Sequence, residues 1–387
     1  MFSAPEKELL RLALTIAPDW PVMRGLIQGR FDWEALRHTA LSHQSDGVIA
    51  WRLTAPELAG MVPEAVRQDC ARYLDSLDTH GRDEWWQQRV RPAVEALEAA
   101  GVTWVTNSGP VQYLPLGMSF WPRIWDDFDV FVPAEDHHQT CRALESAGLV
   151  FNGLVCETLN PLYSWADGSK GVEIIGLPPE HEELPIWAWH HRPEFYEGRV
   201  LREVHGLPVW TPAPEWMVAL MAYRTYVAYC RQATPLPLWG LARLWAWRQW
   251  IGDDWNEAEF VRSIRLAAEV GWPATRHLPN VTWARGILFT LEIASRVYGP
   301  LVPKDLTSLL EGPFYFLVSE PGPGHRGVTE EIMEIARWPS DEEVIFDLGY
   351  SRSSQEKIQR AHWRRIEESH APRGYEVPPA KAGPGAA

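Results

Sequence analysis

Apolar residues recur at two different periods along this chain, and the change of period divides it. Over residues 1–100 the spacing is helical throughout. Residues 6–16 carry Leu9, Leu10, Leu12, Leu14 and Ile16, and a second segment starts near Phe31, Asp32 and Trp33. Between Pro63 and Leu77 the positions Val66, Cys70, Tyr73 and Leu77 repeat at helical spacing. A longer helix is expected from Arg82 through Val90, Val94 and Leu97 to Ala100. Gly101 is its stop, and Pro92 imposes a kink or break.

At Gly101 the period shortens. Residues 102–106 read as a β-branched strand, and Asn107, Ser108, Gly109 and Pro110 as a turn that opens a helix at Pro110. Then comes an alternating run. Phe128, Val130 and Val132 face one way and Asp127, Asp129 and Phe131 the other, because successive strand side chains point to opposite faces. A helix is expected from Pro133 to Gly148, with Glu135 and Asp136 in its first turn, where the helix dipole favours acids. Strands follow at 149–157 and 161–166, then a hairpin turn at 167–171 and a strand at 172–175. Glu173 shares a face with Ile175. A hairpin over 199–210 turns at His205 and Gly206.

Helical patterning then returns. Pro212, Ala213, Pro214 and Glu215 start a helix that runs to Cys230, with further helices at 239–251, 255–271, 283–297 and 330–335. The stretch 371–387 is rich in Pro, Gly and Ala and is expected to be disordered. The fold class is therefore α+β. A mixed-sheet core at 101–210 is flanked by an N-terminal helical region (1–100) and a C-terminal helical domain (211–345), with a helix and tail at 346–387.

Composition narrows the function. The net charge of −15 argues against a polynucleotide as the main partner, since such binding leans on Lys and Arg. No apolar run approaches the roughly 20 residues that span a bilayer, and Glu6, Lys7 and Glu8 interrupt any early leader pattern. The four cysteines (Cys70, Cys141, Cys156 and Cys230) are scattered with no CxxC, against disulfides and thiolate zinc sites. A cytoplasmic protein is expected. The 22 tryptophans read first as core and helix–helix packing and second as pocket wall. On the 239–255 stretch, Trp239, Trp247 and Trp250 share a face while Trp245 does not. His137-His138 and His190-His191 diverge along the chain and have no third ligand at a telling spacing.

Asp127 and Asp129 are the informative chemistry. Two carboxylates side by side on a strand make a poor core and a good divalent-cation site, which wants several oxygens in one place. Taken with the Ser108-Gly109 turn and Glu173 on a later strand, the order resembles the polymerase-beta-like nucleotidyltransferase superfamily. More narrowly, it resembles the family called uncharacterised nucleotidyltransferases. The likeness covers residues 90–270. Arg123, Asp127 and Asp129 fall in register with that family's Arg-x-Ser-x-Asp-hydrophobic-Asp strand, and Pro212-Ala213-Pro214-Glu215 matches its helix start. Three departures stand out: Ser108 replaces a lysine, Trp125 a small hydroxyl residue, and Ile175 a histidine.

The resemblance implies a nucleotidyltransferase-like mixed-sheet core and an activity. Mg²⁺ held by Asp127, Asp129 and Glu173 would serve the transfer of a nucleoside monophosphate from a nucleoside triphosphate (ATP among them) to a hydroxyl of a small molecule or protein. Ser108 and Gly109 would receive phosphates through backbone N–H groups at a helix start, Arg123 would clamp phosphate or substrate, and Glu173 would be a ligand or base. Two alternatives follow from the departures: a catalytically lapsed binding or antidote protein, and a biosynthetic enzyme that reuses the fold for another transfer.

Overall fold

Pro92 sits inside the longest helical stretch of the N-terminal half, and the chain meets it with a change of helix type. In the computed structural model, α5 (Glu64–Asp78) passes into a π-helical segment (Thr79–Val90) and then into α6 (Arg91–Ala100), with Pro92 in the first turn of α6. Pro has no N–H to donate and its ring crowds the preceding turn. The wider i→i−5 turn, seen where the Arg91 N–H bonds Trp86 O, carries the chain into α6 without a sharp break. Gly101, in the left-handed conformation, ends α6 as its sequence position predicts.

The described residues are 2, 4–43, 45–118, 127–154, 161–176, 192–232, 237–268, 283–303, 306, 314–319 and 330–335. All lie within one unit, Met1–Asp347. Ahead of α5 come α1 (Pro5–Ala13), α2 (Trp20–Ile27), α3 (Trp33–Ser42) and α4 (Asp46–Thr54), so the helical reading of this region holds, with two helices, α2 and α4, more than the pattern marked. Asp32 caps α3 by accepting from the N–H groups of Glu34 and Ala35.

The sheet is small and mixed. β1 (Phe128–Phe131) pairs parallel with β4 (Lys170–Ile175). The antiparallel strands β3 (Pro161–Ser164) and β2 (Val150–Leu154) complete the order β1-β4-β3-β2. α7 (His137–Ser146) connects β1 to β2 and packs on α6. After the one-turn α8 (Glu194–Glu197), the hairpin of β5 (Val200–Val204) and β6 (Leu207–Thr211) turns at His205 and Gly206, both at positive φ.

Four helices form the C-terminal bundle: α9 (Pro214–Gln232), α10 (Leu238–Ile251), α11 (Glu257–Ala268) and α12 (Trp283–Tyr298), with α9 packed against the other three. Glu215, from the Pro-x-Pro-Glu start, is buried and accepts the Asn256 N–H at 2.7 Å just ahead of α11. Asn256 in turn accepts from the Glu259 N–H, a side-chain cap on that helix.

Three sequence expectations are corrected. Residues 102–106 form no strand; Val105 makes a single antiparallel bridge to Phe131, while the Thr106 N–H bonds Trp210 O. One short segment thus ties β1 to the β5–β6 hairpin rather than joining either sheet. The helix at Pro110 is a short 3₁₀ helix, Gly109–Leu116, with Pro115 inside it. Residues 330–335 are strand β8 (Glu330–Ile335), paired antiparallel with β7 (Phe314–Ser319). The backbone ladder to β7, a partner outside any local window, overrides the local helix tendency. The expected tail at 371–387 lies outside the described residues.

Among the described tryptophans, Trp85, Trp86, Trp104, Trp216, Trp239 and Trp247 are buried and serve packing. Trp85, Trp86 and Trp104 surround Phe128 with ring centroids 6.0–6.4 Å away, all buried. The indole N–H groups of Trp104 and Trp210 both donate to Glu98 Oε1, Trp86 donates to Val204 O, and Trp216 to Glu259. Buried indoles need such acceptors. Of the 239–255 group, Trp239 and Trp247 are buried and Trp250 is exposed, although it still packs edge-on against Trp247.

Candidate metal centre

Strand alternation puts the acids of β1 on the face away from the tryptophan cluster. Phe128 goes into Trp85, Trp86 and Trp104, so Asp129 must emerge on the opposite side. The parallel register sets Asp129 directly beside Glu173 of β4. Asp127, just before β1, brings the third carboxylate. One oxygen from each of Asp127, Asp129 and Glu173 lies within 4.8 Å of the others. Asp129 is 5% exposed, while Asp127 and Glu173 are half-buried, so the cluster opens to solvent on one side.

The same face of β1 carries Phe131, whose ring meets Phe195 of α8 edge-on at 5.6 Å, and Phe195 meets Trp216 of α9 at 5.8 Å. This aromatic run seats the start of α9 against the sheet. Two turns later α9 delivers Arg224, whose Nη1 lies 2.6 Å from Asp129 Oδ2. The same nitrogen donates to Asn107 Oδ1 at 2.8 Å. Burial works against the Arg224 charge, yet Asp129, by charge and hydrogen bond, and then Glu173 and Asp127 raise its pKa above the ordinary arginine value. A nearly buried carboxylate such as Asp129 needs a partner of this kind.

A polar chain backs the pair. Asn107 O accepts from Gln112 Nε2 at 2.8 Å, and Gln112 Oε1 accepts from Arg243 of α10. Arg243 also donates to Thr225 Oγ1 at 2.9 Å, and the Trp247 indole donates to Gln112 O at 3.4 Å. Asn107 is fully buried, and its Nδ2 has no hydrogen-bond partner among the described residues. Leaving such a donor unmet costs about 1–3 kcal/mol.

Of the expected phosphate-binding residues, Ser108 is buried and its N–H is committed to Thr106 Oγ1 at 3.0 Å. Thr106 in turn donates to Asp129 O at 2.7 Å, so the turn is tied to β1 through one hydroxyl. Gly109 has φ +61°, and a Cβ there would stand 3.2 Å from Trp85 Cη2. Both the left-handed backbone and the indole lid favour glycine. Arg123 and Trp125 lie outside the described residues, as do His190 and His191. His137 is buried and His138 exposed. Among the described residues, Asp127, Asp129 and Glu173 are the group of His, Cys and acidic side chains close enough to hold a metal ion. A pocket of about 400 Å³ lies among Arg248, Trp255, Glu257, Pro300 and Leu301, none of which belongs to this centre.

Sequence reasoning missed Arg224, Asn107, Gln112 and Arg243. One signal was present for Arg224: it follows a run, Trp216 to Tyr223, that is buried throughout. A helix apolar on all sides is interior, so a guanidinium set into it needs an acid. Nothing local identified which acid.

No protein-family model matches this chain, and no curated protein matches it. A solved structure of an antigenic nucleotidyltransferase-like protein from Paracoccidioides brasiliensis is similar at 18% identity and a TM-score of 0.28. The match covers 57% of this chain and 89% of that one. At that level the likeness carries no argument, and the reading of the site stands on its own geometry. No helix among the described residues is long and apolar enough to cross a membrane.

Proposed function

We propose that this chain is a Mg²⁺-dependent nucleotidyltransferase acting on a nucleoside triphosphate and a hydroxyl acceptor, small-molecule or protein. The observation that carries the reading is the convergence of Asp127, Asp129 and Glu173 from two adjacent parallel strands. Their donor set suits the group. Three carboxylates are hard oxygen ligands, which a hard divalent ion prefers and which Mg²⁺ combines with water and phosphate oxygens. Bound there, the ion would supply charge stabilisation at the α-phosphate.

The protein's own residues account for the rest. The acceptor oxygen bonds to the α-phosphorus, the bond from that phosphorus to the pyrophosphate oxygen breaks, and pyrophosphate leaves with its electron pair. Glu173, half-buried in the cluster, takes the acceptor's proton. Arg224, held by Asn107 Oδ1, supplies donors beside the carboxylates, where phosphate oxygens need them. Gly109, Ser108 and Arg123 remain the proposed phosphate-side residues, with Ser108 acting through its hold on the turn.

A second reading has one observation in its favour. The Arg224–Asp129 pair already neutralises part of the cluster, as it would in a chain that keeps the fold for binding alone. Calorimetric titration with Mg²⁺ and each of ATP, GTP, CTP and UTP, followed by a label-transfer screen over hydroxyl acceptors, separates the two. Binding and transfer support the enzyme; triphosphate binding with no transfer to any acceptor supports the binding protein. If neither metal nor triphosphate binds, the nucleotidyltransferase reading is lost.

A further inference from the structure

We infer that Arg224 is a resident cation at the carboxylate cluster, holding Asp129 in the metal-free protein and releasing it when metal and triphosphate arrive together. The inference rests on the metal-centre reading above and names how that centre is controlled. Arg224 Nη1 is 2.6 Å from Asp129 Oδ2, the distance of a close, charge-assisted hydrogen bond. A divalent ion on Asp129 needs that carboxylate's oxygens at about 2.0–2.1 Å. A guanidinium and a metal ion on one carboxylate repel each other, so the two compete.

Arg224 is open to a competing partner. Its side chain is 29% exposed, so solvent and ligand reach it, whereas Asn107 is fully buried. Asn107 is further held at its carbonyl by Gln112, which Arg243 holds in turn. Asn107 Oδ1 receives Arg224, which fixes the amide orientation and leaves Nδ2 as a buried donor with no acceptor among the described residues. The remaining N–H donors of this partly exposed guanidinium match the oxygens of a phosphate group. An incoming triphosphate thus offers Arg224 a new anion at the moment its metal claims Asp129. Metal alone offers nothing in exchange, and it faces a cluster whose charge Arg224 has already reduced.

The test is a calorimetric titration of Mn²⁺ alone, with no nucleotide, into the wild-type chain, Arg224→Met and Arg224→Gln. Thermal melts in chelator check that each variant folds. The variants are expected to bind Mn²⁺ at least about tenfold more tightly than wild type, and ATP is expected to tighten Mn²⁺ binding in wild type but not in the variants. Asn107→Ala keeps the Arg224 charge and removes its second anchor, so its Mn²⁺ affinity is expected to fall between the two. It serves as the test if the Arg224 variants do not fold. Equal Mn²⁺ affinity in wild type and variants overturns the inference and leaves the metal centre standing. No Mn²⁺ binding by any of the proteins overturns both.

Discussion

Asp129 and Glu173 are direct partners across the parallel pairing of β1 and β4, so their carboxylates belong to one face of one sheet. The relationship is rigid: the neighbouring register positions, Phe128 with Val172 and Val130 with Ile174, are all buried. Slipping either strand by one residue would carry an acid into the Trp85–Trp86–Trp104 side. The cost of that slip helps hold the ligands in place without a metal.

Neutralising the cluster one member at a time gives the first prediction. Asp127→Asn, Asp129→Asn and Glu173→Gln should each weaken Mg²⁺ binding by tenfold or more, on the order of 1.4 kcal/mol. Asp129→Asn should also lower the melting temperature in chelator, because it leaves Arg224 without its closest anion. Partial exposure of Arg224 keeps that loss below the several kcal/mol of a fully buried pair. Melting curves with and without Mg²⁺ check both effects; unchanged metal binding in all three variants would remove these residues from the site.

The position of α9, and so of Arg224, depends on a close helix crossing. A Cβ on Gly286 of α12 would overlap the Tyr226 ring of α9. Helix propensity alone says Gly286→Ala should stabilise by about 1 kcal/mol. Overpacking of about 1–3 kcal/mol acts against it and is expected to win. Denaturant unfolding should show a net loss, and Tyr226→Ala should relieve the clash, so that the double variant is less destabilised than the sum of the two single ones. A stabilised Gly286→Ala would mean that the helices part easily.

His43 links the N-terminal helices to the C-terminal bundle, its Nδ1 accepting the Leu238 N–H at 3.0 Å. Burial, with a smaller push from the Lys7 charge, lowers its pKa from 6.5 to about 3. Unfolded, it takes a proton below about 6.5; folded, it resists one until about 3. Stability from this residue is therefore complete above pH 6.5 and declines as pH falls from 6.5 toward 3, by a few kcal/mol in order of magnitude. Urea midpoints at pH 8, 6 and 5 should fall more steeply for wild type than for His43→Gln, which cannot titrate. Parallel pH profiles would show that His43 is not the buried neutral group described.

Glu98 gathers two indoles, from Trp104 and Trp210, onto one oxygen. Glu98→Ala strands the N–H of the fully buried Trp104 and is expected to cost about 1–3 kcal/mol. Glu98→Gln keeps an acceptor and should cost less. Chemical denaturation followed by tryptophan fluorescence reads the difference, and equal losses would assign the effect to charge rather than to hydrogen bonding.

Much of the local structure was legible from pattern alone. Period-3.6 spacing marked the longer helices but not α2 and α4, and alternation placed Asp127 and Asp129 on one strand face before any neighbour was known. It failed where the deciding partner was distant in sequence. Residues 102–106 look like a strand but find only one bridge. Residues 330–335 look helical but pair with β7. The 3₁₀ helix after Gly109 shows a softer failure, since a helix was expected there and its type was not.

The same division runs through the metal centre. The carboxylate pair of β1 was determined by the sequence itself, because strand geometry is local and fixes which way adjacent side chains point. The β1–β4 register brought Glu173 to that pair, and the packing of α9 brought Arg224. Both are long-range arrangements, selected by how whole elements bury their apolar faces, and no short window of residues contains them.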